Sequence, residues 1–289
     1  MPPADSLLLR TATKLSRMAL RLHAVAPRQG LAWVRQAITL WWRRPLALVG
    51  LFTFFLMSVL LLMLLVPVLG GALGMALLPM LSLGFMIASR SAAQGGPVHA
   101  LQLIEGLRHP QRSQRRAQWA LCGLYALGTM VVITLADWVD AGLFDELQRL
   151  MSRGGDAKAA ARIDAIVADP QLLHGMLLRF GLAGLMAVPF WHAPALVHWG
   201  GQGVLQALFT SSLALWRTRG AFTVYLMAWA GLMLAVALLV ALVAMLTGAR
   251  QVLGLLTMPI GLAFSAAFYV SLWFSFTDTF GQPDDTIAP

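Results

Sequence analysis

Charge is missing from a long reach of this chain: the forty-five residues from Pro45 to Ser89 contain no Asp, Glu, Lys, Arg or His. A single bilayer crossing needs about 20 apolar residues, so the run is long enough for two. Midway along it, Pro67-Val68-Leu69-Gly70-Gly71 joins a helix-stopping proline to two flexible glycines, and predicts a turn between two spans. Cysteine is almost absent too. Cys122 is alone, which excludes a disulfide framework and a cysteine metal cluster. The N-terminal stretch has no long apolar core followed by a small-residue cleavage site, so Pro45 to Val66 is expected to act as the first insertion signal. Also missing are Gly-x-Gly-x-x-Gly, the P-loop, His-Glu-x-x-His, Gly-x-Ser-x-Gly and any carboxylate pair placed to act together. Catalysis is therefore disfavoured, and neither a catalytic residue nor a cofactor is expected.

What is present is apolar. Hydrophobic residues make up 59% of the chain and charged residues 11%, with a mean hydropathy of +0.74. These values exceed what a soluble domain carries. Four further segments are long enough to cross, at 117–136, 180–199, 221–246 and 253–276. With 45–66 and 71–88 they predict an all-α polytopic bundle of six spans in three helical hairpins. The expected organisation is an N-terminal cytoplasmic segment (1–29), a membrane domain (30–276) and a cytoplasmic tail (277–289).

The net charge of +9 does not point to nucleic acid, because the basic residues cluster at the ends of apolar runs rather than along a soluble face. With both termini cytoplasmic, fifteen of the twenty-one Lys and Arg fall inside, and seven of the twelve acidic residues fall outside. The inner side then carries +10 and the outer side −1, in accord with the positive-inside rule. Trp33, Trp41, Trp42, Trp119, Trp138, Trp199 and Trp216 fall near span ends, as interface anchors do. The outer excursion 137–179 has Leu143, Phe144, Leu147, Leu150 and Met151 at helical spacing, and Ile163, Ile166 and Val167 after Gly154-Gly155. A helical hairpin is expected there, most simply a cap packed on the bundle. Asp137, Asp140, Asp145 and Glu146 read as its solvated face.

A repeat is also visible. Three times a short amphipathic segment precedes a pair of spans: Trp33 to Arg44, Val98 to Arg108, and Leu205 to Arg217. In the first, Val34, Ala37, Ile38 and Trp41 form one stripe. Such segments are expected to lie in the interface with apolar residues toward lipid and arginines toward phosphates. The second span of each pair holds a proline, at Pro79, at Pro189 with Pro194, and at Pro259. An even number of spans separates the units, so they are expected to be parallel repeats about an axis near the membrane normal.

The stretches Gly30 to Gln36, Arg44 to Leu48, Phe190 to Val197 and Ala207-Leu208-Phe209 through Ala221-Phe222 resemble an uncharacterised family of β-proteobacterial integral membrane proteins known by locus-tag names. The likeness covers roughly Met18 to Phe276. The family is similar in outline to the membrane domains that accompany some glycerophosphodiester phosphodiesterases, in which an Ala-containing interfacial helix follows a Pro-bearing span. Members of the family usually begin near Met18, so 1–17 read as an extension or as a misassigned start. The resemblance implies an inner-membrane address and brings no activity and no catalytic residues.

Candidate binding residues are few. Proton- and sodium-coupled carriers place ionisable groups at membrane depth, but here only His192 lies well inside a span, with His198 near the end of the same one. Six positions apart, the two point about 240° apart on an ideal helix, so no metal site is expected. Trp191, Pro194, Ala195 and His198 share a stripe, and the prolines free backbone carbonyls. A pocket at Trp191, His192, Pro194 and His198 is one reading; a neutral His192 hydrogen-bonded within the bundle is the other. Gly70 and Gly74 have the spacing of a helix-packing motif. Arg43, Arg44, Arg108, Arg112, Arg115, Arg116, Arg217 and Arg219 are candidate contacts for lipid headgroups or for a partner, the plain alternative being a topology signal. Membrane lipids are the expected partners, beside a membrane-protein partner or a second copy of the chain. Three functions stand open: a non-enzymatic protein that organises or supports a membrane complex or lipid environment, a permease for a neutral or amphiphilic small molecule or lipid, and, third, a membrane enzyme.

Overall fold

The computed structural model of the protein describes residues 22–66, 70–153, 157–247 and 250–283. The expected turn at 67–69, the Gly154-Gly155 break and the region around Met18 lie outside them. Among the described residues every regular element is helical. In chain order these are α1 (Gln29–Arg43), α2 (Pro45–Leu65), α3 (Gly70–Ala76), α4 (Leu78–Ala93), a 3₁₀ segment (Ala100–Arg108), α5 (Arg112–Asp140), α6 (Leu143–Arg153), α7 (Ala157–Val167), α8 (Pro170–Phe190), α9 (Ala193–His198), α10 (Val204–Arg217), α11 (Arg219–Thr247) and α12 (Arg250–Phe280). Five crossings are long and apolar enough to span a bilayer: α2, α5, α8 continued by α9, α11, and Thr257–Phe280 of α12. A sixth is the pair α3 and α4, bent by 43°.

That bend falls inside the second span expected at 71–88, close to the proline noted there. Pro79 has no N–H, and its ring crowds the carbonyl four residues earlier, so the helix is interrupted at Leu77 and restarts with the proline in its first turn. Proline acts likewise in the fourth crossing: Pro189 ends α8 and Pro194 opens α9, with Trp191 and His192 at the joint. Pro259, by contrast, sits within an unbroken α12. Arg44 leaves the helical region at φ −144° because Pro45 follows it, and this separates α1 from α2.

Two faces can be told apart. His23 N–H donates to the Thr279 carbonyl at 2.9 Å, so both described ends lie on one side, which also carries the 3₁₀ segment and α10. We call this the basic face and the other, bearing α6 and α7, the hairpin face. Packing is concentrated toward the basic face. Most of α4, all of Ala193 to Val197, and the Ala266 to Phe280 end of α12 are buried, whereas the row Met233, Leu234, Leu238, Leu239 and Leu242 on α11 is exposed. The second spans of the three hairpins meet in this core, with Met80, Leu83 and Met86 against Ala195, Leu196, Leu272 and Phe276.

The amphipathic segments close a ring. The 3₁₀ segment packs on α4, α10 packs on α8 and α9, and α1 packs on α12 as well as α11. Each thus rests on the second span of the unit before it, the first unit following the third. This corrects the expectation that their apolar stripes face lipid: Trp33, Val34, Ala37 and Leu40 are buried against the bundle. Gly30 explains how α1 comes so close, since a Cβ there would fall on the Ala221 carbonyl oxygen. Lipid chains are as apolar as leucine, so such close approach and the dispersion it brings hold membrane helices together. Gly70 does the same for α3 against the backbone of Met63, and Gly74 against Val59. The second segment is a 3₁₀ helix rather than an α-helix.

The tryptophans divide. Trp42, Trp119, Trp138 and Trp216 are exposed at span ends, while Trp33 is fully buried and Trp199 packs edge-on to Trp273 and tilted against Phe276. Those two are core rings and not interface anchors. On the hairpin face α6 and α7 pack together, joined by Arg162, which donates through two nitrogens to Glu146 at 2.8 Å. The reading of the nearby carboxylates as one solvated face needs correcting as well. Asp140 is fully buried, and Arg179 bridges it to Asp137 at 3.3 and 2.7 Å while lying over the Phe144 ring.

Candidate functional site

The proline-made joint in the fourth crossing leaves backbone groups that an unbroken helix would have paired. One hydroxyl takes up two of them. Ser211, on α10, accepts from the His192 backbone N–H at 3.1 Å and donates to the Val188 carbonyl at 3.1 Å. The amphipathic segment is thereby pinned to the break in the span. Ser275 on α12 meets the His192 ring at Nε2, 3.2 Å away. Since Ser275 already gives its only proton to the Leu272 carbonyl at 2.9 Å, it can only accept from the ring. His192 therefore carries its proton on Nε2, and Nδ1 is a buried acceptor with no partner among the described residues. Phe222, Phe276 and Phe280 surround the ring at 5.4 to 6.0 Å between centroids. The Trp191 indole N–H beside it is also buried without an acceptor, against Phe222, Tyr225 and Phe268.

A second polar group lies nearer the basic face. Gln118, fully buried on α5, donates from Nε2 to the Pro194 carbonyl at 2.8 Å. Gln114 lies one turn away on the same face of α5, and His198 one turn beyond Pro194 on α9. The His198 ring meets that of His109 edge-on at 5.0 Å. His109 Nδ1 accepts from the Gln111 N–H, and partial burial holds this imidazole below its ordinary range. Of the four residues picked out on the fourth span, the structure thus splits the set. Trp191 and His192 belong to the aromatic core, Pro194 carries the carbonyl read by Gln118, and His198 belongs to the polar group under the basic face. His192 caps the N-terminus of α9 and His198 ends it, and their rings enter different clusters, as the six-residue spacing implies. Among the described residues no cluster of three or more His, Cys, Asp or Glu has the spacing to hold a metal ion.

The arginines also divide. Arg43, Arg108, Arg112, Arg116, Arg217 and Arg219 are exposed, and Arg115 is half-buried. Arg219 lies over the Trp216 ring, 5.3 Å from its centroid. Arg44 does not reach outward: it donates to the Gly95 and Gly96 carbonyls and so ties the start of α2 to the end of α4. Asp278 accepts from Gln29 and Trp33, at 2.6 and 2.8 Å. Ser211, Ser275, Gln114, Gln118 and Asp278 were not singled out from the sequence. The one signal for any of them was the glutamine pair four apart at the head of an apolar run.

A helical bundle with five apolar crossings, a bent pair of helices as the sixth, and one basic face defines a polytopic membrane protein. Over 262 residues the chain is 31% identical to the probable inner membrane protein BTH_II0599 of Burkholderia thailandensis, an alignment covering 91% of this chain and 94% of that one. The chain belongs to the same family, and it is a multi-pass inner-membrane protein. No family model matches it. No solved structure matches it either.

Proposed function

We propose that this is a non-enzymatic inner-membrane protein whose basic face, turned to the cytoplasm, gathers anionic phospholipid headgroups and so organises the lipid around a membrane complex. One observation carries the reading. The three amphipathic segments dock through their buried faces and leave outward both large apolar side chains and arginines: Leu31, Trp42 and Arg43; Leu101, Ile104 and Arg108; Leu205, Phe209, Trp216 and Arg217. Apolar groups beside cations are what a headgroup layer accepts, at ~1 kcal/mol for each basic residue near an anionic surface. The charge asymmetry of +10 against −1 supports the cytoplasmic placement of this face and of both termini. The outline likeness to membrane domains of glycerophosphodiester phosphodiesterases supports work close to phospholipid. A membrane-protein partner or a second copy would use the same face. The test exchanges Arg108, Arg112, Arg116, Arg217 and Arg219 for Gln and counts retained lipid in mixed nanodiscs. Loss of anionic-lipid enrichment in a folded variant supports the proposal, and unchanged enrichment refutes it.

A second reading rests on the two unpartnered atoms at the joint, Trp191 Nε1 and His192 Nδ1. A donor and an acceptor side by side in an aromatic core suit passage of a neutral or amphiphilic molecule through a permease. There, changing Trp191 or His192 abolishes uptake while the protein still accumulates; retained uptake removes the reading.

A further inference from the structure

Between α5 and α9, under the basic face, four buried polar atoms have no partner among the described residues: the amide oxygens Gln118 Oε1, Gln114 Oε1 and Gln202 Oε1, which accept, and His198 Nδ1. The orientation of Gln118 is fixed, because its Nε2 must face the Pro194 carbonyl. The four lie close in the fold. Gln114 and Gln118 are successive turns of one face of α5, Pro194 and His198 are successive turns of α9, and the Gln202 N–H donates to the Leu196 carbonyl of that same helix at 3.3 Å. Gly106 of the 3₁₀ segment covers Gln118, and His109 abuts His198. A buried acceptor without a donor costs free energy of the order of a lost hydrogen bond. The three amide oxygens together describe a place built for hydrogen-bond donors.

The surrounding charge selects among donors. Arg108, Arg112, Arg115 and Arg116 flank the group along the chain, and Arg90 is near enough to His198 to act on it electrostatically. Against these five cations stands Glu105. An ammonium would be repelled here. Hydroxyl groups on an anionic ligand satisfy both demands, donating to the carbonyl-type acceptors while a phosphate engages guanidinium groups.

We propose that Gln114, Gln118, Gln202 and His198, beneath Arg108, Arg112, Arg115 and Arg116, form a headgroup site for an anionic phospholipid whose headgroup carries hydroxyls, of the phosphatidylglycerol class. The proposal rests on the anionic-lipid reading of the basic face and adds selectivity to it. The arginines supply attraction for any phosphate, and the buried acceptors choose the headgroup that can donate.

The experiment reconstitutes the full chain in nanodiscs of neutral lipid containing equal amounts of phosphatidylglycerol and phosphatidic acid, and counts retained lipid by native mass spectrometry. Phosphatidic acid offers the phosphate without the glycerol hydroxyls. Retention of phosphatidylglycerol several-fold above phosphatidic acid is expected, since two or three hydrogen bonds to neutral groups change binding by roughly tenfold or more. Gln114→Leu and His198→Phe should bring the two lipids level. Gln118→Leu should do the same if it folds, and the first two variants keep the test independent of it. Equal retention by the native chain overturns the site and leaves the arginine reading standing; no retention of either lipid overturns both. Displacement of the bound lipid by millimolar glycerol phosphate would make the ligand a soluble one and overturn the lipid assignment.

Discussion

Trp33 and Asp278 stand 245 residues apart in sequence and meet at 2.8 Å, the indole N–H donating to the carboxylate. This bond closes the ring of three units, joining the first amphipathic helix to the last span. Trp33 is fully buried and Asp278 half-buried, so the contact is worth more than a surface pair. Trp33→Phe is expected to cost about 2 kcal/mol, because it leaves a charged acceptor short of one donor. Asp278→Ala should cost a similar amount. The double variant should cost clearly less than the sum, a coupling measurable by reversible unfolding in mixed micelles.

Gly30→Ala should be far more damaging than its size suggests. The new methyl would fall on the Ala221 carbonyl and crowd the Tyr225 N–H, both backbone atoms that cannot swing away. Gly50→Ala meets nothing within 4 Å and serves as the control. The expected result is a sharply lower melting temperature and protease sensitivity of α1 in the first variant, with both unchanged in the second.

Removing Arg179 should expose a liability on the hairpin face. Arg179→Leu leaves Asp140 buried without its cation, and breaking one side of such a pair costs about 3–5 kcal/mol. Arg179→Lys keeps the charge but not the planar fork, so it should fall between the two. Thermal unfolding of the three proteins in one detergent checks the order.

The hairpin itself should loosen in acid. Hydrogen bonds from Arg162 hold the Glu146 carboxyl below its ordinary range. A depressed folded pKa means that the contribution is present above the unfolded value of 4.5 and is lost as pH falls through the lower folded value. Protease protection of α6 and α7 should therefore drop below pH 4.5, while Glu146→Gln should be less protected at neutral pH and nearly insensitive to acid. An unchanged pH profile in that variant would contradict the assignment.

The crossings were legible because apolar length is a local property: Pro45–Leu65 and Arg219–Leu246 announce themselves by composition alone. The hairpin helices were legible for a related reason, as Leu143, Leu147 and Leu150 repeat at helical spacing. Periodicity, however, shows that a helix has an apolar face without showing what covers it. The Trp33, Val34 and Ala37 stripe suits lipid and suits another helix equally, and only the tertiary fold, with Asp278 waiting 245 positions away, decides. The proline breaks are intermediate. Pro79 and Pro189 are visible, but Pro259 has the same chemistry in an unbroken helix, so sequence alone does not say which proline kinks. Ser211 was out of reach, since a lone serine gains meaning only from the carbonyl placed opposite it.

The basic face is proposed to gather anionic phospholipid. Native mass spectrometry of the protein, taken from its own membrane directly into nanodiscs, tests it most directly. We expect anionic phospholipid carried at fixed stoichiometry, enriched over the surrounding bilayer and lost when the exposed arginines are exchanged for glutamine. A retained lipid population matching the bulk bilayer, unchanged by those substitutions, would contradict it.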